Sequence, residues 1–416
     1  GQIGEAIAAA ERRLELEAHD ERALHDLVRL HVAAGNRARA TAVARGFVER
    51  LAQELGVPAS RETMRLIHET RVDGCAEPII VVAPADRTPR RAGARRVDMV
   101  TSSLIARGRH HWSQRTRTSV ERALDYFTRA TERDDRAVAA WCGLADCWAV
   151  MGCRGYAPPA DAIKSAQASL DRARVLDDTL SSVYMSMGGV NILRRSWRAA
   201  ETALRNAIQL DPENANAHHW LALTLLTGFG DRDAAIREQS ISVQLDPVGG
   251  IQAGALGWQR YLRREYELAR VDMQPAAELN PDFEEGHAGL ARVAARLGDE
   301  VTIASAIAGG LARREDLRGD LLAEHASALA VVGDSRRARG LARQASAHGA
   351  MPINLALTWA TLGDADRAFR YLERDSFLVY WAPQAVWWDP RFDGIRDDAR
   401  FRRVRARVER QWLPVW

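Results

Sequence analysis

Few side chains in this sequence are placed to make or break bonds. Two adjacent histidine pairs, His110–His111 and His218–His219, invite a metal ion at first sight. Neighbouring residues on a helix point about 100° apart, so neither pair converges on one ion. The four cysteines, Cys75, Cys142, Cys147 and Cys153, match neither paired CxxC ligands nor a disulfide framework. Cys142 and Cys147 fall inside an apolar helical pattern, where a free thiol packs as a small hydrophobe. Reduced thiols suit a cytoplasmic protein. Lys164 is the only lysine and follows Ile163 rather than glycine, so there is no phosphate-binding P-loop. No HExxH, GxSxG or GxGxxG string occurs. Asp135, Asp211 and Asp246 fall at helix ends and turns, not in acid–base pairs. The expectation is a binding protein with no catalytic residue, cofactor or metal.

The elements that carry these residues show a clear rhythm. At 416 residues the chain exceeds one ordinary core, so it is either several domains or one long array. A hydrophobic content of 47% with 27% charged residues fits a folded protein, and no apolar run reaches the length of a membrane span. The net charge of +3 gives no whole-chain argument for nucleic acid. What decides the fold is self-similarity. Ala200, Leu204, Ala207, Leu210, Asp211 and Pro212 recur as Ala235, Gln239, Ser242, Leu245, Asp246 and Pro247, and again as Ala269, Met273, Ala276, Leu279, Asn280 and Pro281. Gln239 departs from the apolar residue expected in its slot. The prolines are about 35 and 34 residues apart, the period of a tetratricopeptide helix pair.

The first helix of each pair fits as well. Trp141, Leu144, Ala145 and Trp148 follow the W-x2-L-G-x2-Y pattern, and Tyr184, Met187 and Gly188 take the same slots one repeat later. Small residues let helix A approach helix B, and large ones fill the remaining space. Leu-Asp-Pro ends helix B because proline lacks the N–H that a helix interior needs. Gly298-Asp299, Gly333-Asp334 and Gly363-Asp364 mark later A-to-B turns. About eight pairs fit between Met99 and Arg374, with a surplus loop at Arg154 to Ala160. The expected fold is an all-α tetratricopeptide-type α-solenoid spanning 98–380. A capping segment follows at 381–416, and a helical domain precedes the array at 1–71 with a linker at 72–97.

These repeats resemble the tetratricopeptide family, in which stacked A helices line a groove with their second, fifth, ninth and twelfth positions. That resemblance implies a partner-binding groove of Cys142, Asp146, Met185, His219, Leu223, Trp258, Tyr261 and Arg292. Trp258 and Tyr261 lie outside the packing slots yet are large with a polar tip, which suits a peptide anchor or cover for a neighbouring repeat. A lysine-based carboxylate clamp is not expected, since Lys164 lies off these slots. The first 71 residues resemble the bacterial transcriptional activator domain of antibiotic-regulatory-protein-type regulators. Leu27, Leu30, Gly35, Ala40, Leu51 and the Glu54–Pro58 run carry that likeness. It implies a DNA-binding winged helix and one further helix upstream of Gly1. Leu104–Asp135 and Asp389–Val404 resemble repeats found beside such regulators and beside cyclase-type signalling proteins.

Between the two parts, Asp73–Arg96 lacks helical period and reads as a linker whose five arginines are either solvated or set against DNA phosphates. The tail holds Trp381, Trp387, Trp388, Trp412 and Trp416, which either seal the terminal repeat or form a homodimer interface. The leading functional expectation is the non-enzymatic regulatory portion of a transcription regulator. Its array would receive a protein, peptide or small-molecule signal, and DNA would be contacted through the upstream domain, with no membrane involved. A general assembly scaffold and an accessory array beside a cyclase are the alternatives.

Overall fold

The computed structural model describes residues 2–16, 21–34, 36–50, 63, 66, 98–374 and 387–412, and these contain helices and turns without a strand. The chain divides into two compact units at Arg95 and Arg96. The whole 72–97 linker, the Glu54–Pro58 run, Cys75, Trp381 and Trp416 lie outside the described residues.

The first unit holds α1 (Gln2–Leu16), α2 (Glu21–Ala33) and α3 (Arg37–Arg50). Leu14, Leu24, Leu27, Val28, Ala40, Ala44 and Phe47 form its core. Their recurrence at helical spacing gives each helix one apolar face. His25 Nε2 meets Thr63 Oγ1 at 2.6 Å, and Thr63 also bonds Glu21, which ties a later segment to α2.

The second unit is a run of eight helix pairs among the described residues. They are α4 (Met99–Ser113) with α5 (Arg117–Arg133), α6 (Val138–Cys153) with α7 (Pro159–Leu176), and α8 (Ser181–Leu193) with α9 (Trp197–Leu210). Next come α10 (Ala215–Thr224) with α11 (Arg232–Leu245), and α12 (Gly250–Leu262) with α13 (Tyr266–Leu279). The last three are α14 (Glu284–Arg296) with α15 (Glu300–Arg313), α16 (Arg318–Val331) with α17 (Ser335–Ala347), and α18 (Pro352–Thr361) with α19 (Ala365–Leu372). Each helix packs on the next, as an α-solenoid requires.

The sequence rhythm has direct packing causes. A Cβ on Gly188 would come within 2.5 Å of Leu204, so α8 meets α9 only because that side chain is absent. Ala200, Leu204 and Ala207 are all buried. The B helices α9, α11 and α13 end at Leu210, Leu245 and Leu279, immediately before Asp211-Pro212, Asp246-Pro247 and Asn280-Pro281. The surplus residues do form the α6–α7 loop, and α7 opens on Pro159 at its first turn, where a missing N–H costs nothing. Gly298, Gly333 and Gly363 adopt φ of 72°, 97° and 75°. The following aspartates, Asp299, Asp334 and Asp364, cap the next helix by accepting from a backbone N–H. Three other A-to-B turns put Arg115, Arg195 and Arg264 in the same left-handed conformation, at φ of 59°, 62° and 66°.

After the eighth pair, a short turn at Pro390–Ile395 and α20 (Ala399–Trp412) close the array. Phe392, Ile395, Phe401, Val404 and Val408 join a core with α16 to α19, and Trp387 meets Phe401 edge-on at 5.4 Å. The segment also reaches back along the array. Trp388 lies against Gly230 and below the Arg232 guanidinium, and Arg264 pairs with Asp393 at 2.7 Å.

Candidate ligand cavity on the inner face

The A helices converge on two adjoining hollows. The smaller, about 100 Å³, is walled by α6, α8, α10 and α12, with the turn after α4 contributing Arg115. The larger, about 660 Å³, continues along α14, α16 and α18 to Asp389 and Arg391. Cys153, Arg154, Trp258 and Glu285 border both.

Long-range contacts close this inner face. Arg154 of α6 pairs with Glu284 of α14 at 3.4 Å and lies 4.5 Å from the Phe283 ring. Asn280 Nδ2 donates to Gln114 O at 3.1 Å. These contacts bring the first two pairs against the sixth, although 130 or more residues separate them.

Arg115 is 4% exposed, and its guanidinium carbon lies over the Trp112 ring, 3.4 Å from its centroid, and 5.5 Å from that of Trp220. Such stacking favours a cation over an aromatic face. Burial pulls the Arg115 pKa down to about 9, with the Arg154 charge adding to it and Asp146 opposing. Asp146 is itself pushed up to about 7, because burial outweighs Ser186, Arg115 and Arg109. His219 is pushed down to about 3, mainly by burial and then by Arg115, so the ring is neutral. Its Nδ1 lies 3.1 Å from Gln239 Oε1, and Gln239 Nε2 donates to Gln252 O at 3.0 Å. The polar residue that breaks the repeat pattern at 239 thus holds the cavity histidine. Below His219, α10 opens into a wider turn at Leu225–Phe229, where Thr227 also lines the hollow.

The larger hollow is floored by buried ions. Arg292 Nη2 bonds Glu324 at 2.9 Å, Arg391 Nη1 bonds Glu324 at 3.0 Å, and Arg391 Nη2 bonds Asp389 at 2.7 Å. Every charge has an opposite partner, the condition under which buried ions are tolerated. Burial opposes the ionised forms, but the neighbouring arginines hold Glu324 and Asp389 below the usual carboxylate range.

The residues expected on one groove divide accordingly. His219, Leu223 and Trp258 line the smaller hollow, and Trp258 and Arg292 border the larger. Asp146, Met185 and Tyr261 line neither. Tyr261 is 1% exposed and its hydroxyl donates to Asp389 at 3.4 Å, so it supports the returning tail instead of presenting a free anchor. Cys142 packs between α6 and α8, where burial pushes its thiol up to about 12. The tail tryptophans Trp387 and Trp388 pack within the array, and the side chain of Trp412 lies outside the described residues. His110 and His111 lie edge to face, and no group of three or more potential metal ligands occurs among the described residues. Arg115, Trp220, Glu324 and Arg391 were not anticipated. No sequence signal set Arg115 apart from Arg195 and Arg264, which hold the same turn slot.

Residues 1–71 match the family model described as "Bacterial transcriptional activator domain". The chain is 22% identical over 153 residues to "Transcriptional regulator HilA" of Salmonella typhimurium and of Salmonella typhi, covering 36% of this chain and 28% of theirs. It therefore spans little more than a quarter of those relatives' length. Among solved structures, it is similar to the APC/C hetero-tetramer Cut9-Hcn1 (12% identity, TM-score 0.42, 98% of this chain and 93% of that one). It is also similar to YrrB, described as a TPR protein with an unusual peptide-binding site (15% identity, TM-score 0.31, 46% and 93%). The fold itself rests on the eight sequential hairpins. The chain thus carries a segment similar to the bacterial transcriptional activator domain at residues 1–71, and its second unit is an α-solenoid of helix pairs.

Proposed function

We propose that this chain is the regulatory, non-enzymatic portion of a bacterial transcription regulator, with DNA contacted by a winged helix upstream of residue 1. The observation that carries this reading is the activator-domain match over residues 1–71 in one chain with a repeat array hollowed on its inner face. No helix among the described residues is long and apolar enough to cross a membrane. In this reading the protein acts in the cytoplasm, and the array takes a protein or peptide partner in the larger hollow. Trp258 supplies an apolar edge there, and Arg117 and Arg314 supply charge. Tyr261 supports that surface from beneath through Asp389 and Arg292, and Asp146 and Met185 belong to the packing of the earlier pairs.

Transcript profiles of the host with and without the gene test the regulator reading, and unchanged transcripts would overturn it. Capture of host proteins on wild-type chain and on Trp258→Ala tests the groove. The expected result is a partner retained by the first and lost by the second, with the variant still folded although its melting midpoint falls, because Trp258 is largely buried. A partner set indifferent to Trp258→Ala removes the groove and leaves the scaffold alternative.

A further inference from the structure

We propose that the smaller inner cavity is a binding site for a small organic carboxylate, whose anionic end bonds Arg115 and whose apolar body lies among Trp220, Leu223, Ile251 and Trp258. This goes beyond the partner-docking reading and does not depend on it.

Arg115 is the main reason. Its Nη1 is buried without a hydrogen-bond partner among the described residues, and the side chain lines the cavity. Trp112 lies against the guanidinium at 3.4 Å without accepting a bond from Nη1, so that N–H donor remains for a ligand. A buried cation without a bonded counterion is expensive, and a bound carboxylate removes that cost through two parallel N–H···O bonds.

The surroundings narrow the ligand class. Arg154 is already engaged by Glu284, and Glu285 is engaged by Arg292 at 3.0 Å. Burial keeps Asp146 largely uncharged below neutral pH, so one positive charge is unmatched and a monoanion fits better than a phosphate dianion. The rest of the wall is mainly apolar. With Nδ1 of His219 donating to Gln239, its Nε2 keeps an acceptor lone pair for a ligand N–H or O–H. A cavity of about 100 Å³ is smaller than the roughly 150 Å³ that encloses benzene, so it takes the carboxylate and a few carbons, and a longer apolar body extends past Trp258 into the adjoining hollow.

Calorimetry on the full chain with 3-phenylpropionate and octanoate tests this, with 3-phenylpropionamide as the uncharged match. At least one acid should bind, and the amide should bind at least tenfold more weakly. Arg115→Met keeps an unbranched side chain on Trp112 and should lose the acid–amide preference. Leu223→Trp, which fills the cavity and leaves the arginine intact, should lose the acid as well. That variant decides the matter if Arg115→Met fails to fold. A short apolar peptide with a free C-terminus, set against its amidated form, tells a chain end from a free acid as the source of the carboxylate. Failure of both acids to bind, binding undiminished in Leu223→Trp, or inorganic phosphate binding as tightly would overturn the proposal. Partner capture on Trp258→Ala is read separately, so failure of one reading is distinguishable from failure of the other.

Discussion

Asp146 and Glu324 are both buried carboxyl groups, yet their surroundings drive them in opposite directions. Around Asp146, burial dominates over Arg115 and Arg109, and the neighbouring Cys142 and Cys147 thiols stay neutral. The folded protein therefore holds a proton that the unfolded chain releases near pH 3.8. Wild type loses stability as the pH rises from there to about 7, and the full penalty persists above. Asp146→Asn should melt higher than wild type at pH 8, by up to about 4 kcal/mol, with the gap closing as the pH approaches 4. A gap independent of pH in thermal melts would show that Asp146 is ionised throughout. Glu324 is the reverse case, since Arg292 and Arg391 both need its charge. Glu324→Gln leaves two buried guanidinium groups short of an anion and should cost roughly 3–5 kcal/mol in denaturant titrations. Neither site was legible residue by residue. Glu324 and Arg391 are 67 residues apart, and no local spacing announces a pair that folding alone creates.

At the level of helices, legibility was much better, because hairpin packing is local and repeated. The small residue at Gly188 and the large one at Leu204 belong to the same pair, so their complementarity recurs at a fixed interval. Gly188→Leu should force the α8–α9 contact apart and destabilise the array by about 1–3 kcal/mol. Thermal melting monitored by circular dichroism checks this, and an unchanged midpoint would mean the helices can separate freely. The residues expected on one groove divide between cavity wall and packing for a related reason. Slot numbers place a residue on the A-helix face, but they do not reveal what else covers that face. Trp258 and Leu223 remain at a cavity, whereas Tyr261 lies under Asp389 from a segment that no repeat count includes.

On the scale of the whole array, the stretch from Trp387 to Trp412 acts at two places. It completes the apolar core of the last pairs, and through Trp388, Asp389 and Asp393 it also touches the fourth and fifth. Ending the chain at residue 386 should therefore lower the melting midpoint and weaken the α12 region as well as α18 and α19. Hydrogen exchange on the shortened chain reads both, and protection lost only beyond α16 would contradict it. A resemblance to repeats beside other regulators marked Asp389–Val404 but not its destination, since only chain closure brings residue 389 to residue 261. The same tie sets a condition on synthesis. Repeat arrays ordinarily accumulate stable units as they leave the ribosome, each resting on the one before. Here the middle of the array waits for Asp389, translated 128 residues after Tyr261, so a product cut short between them emerges with its ion network open and exposed to proteases.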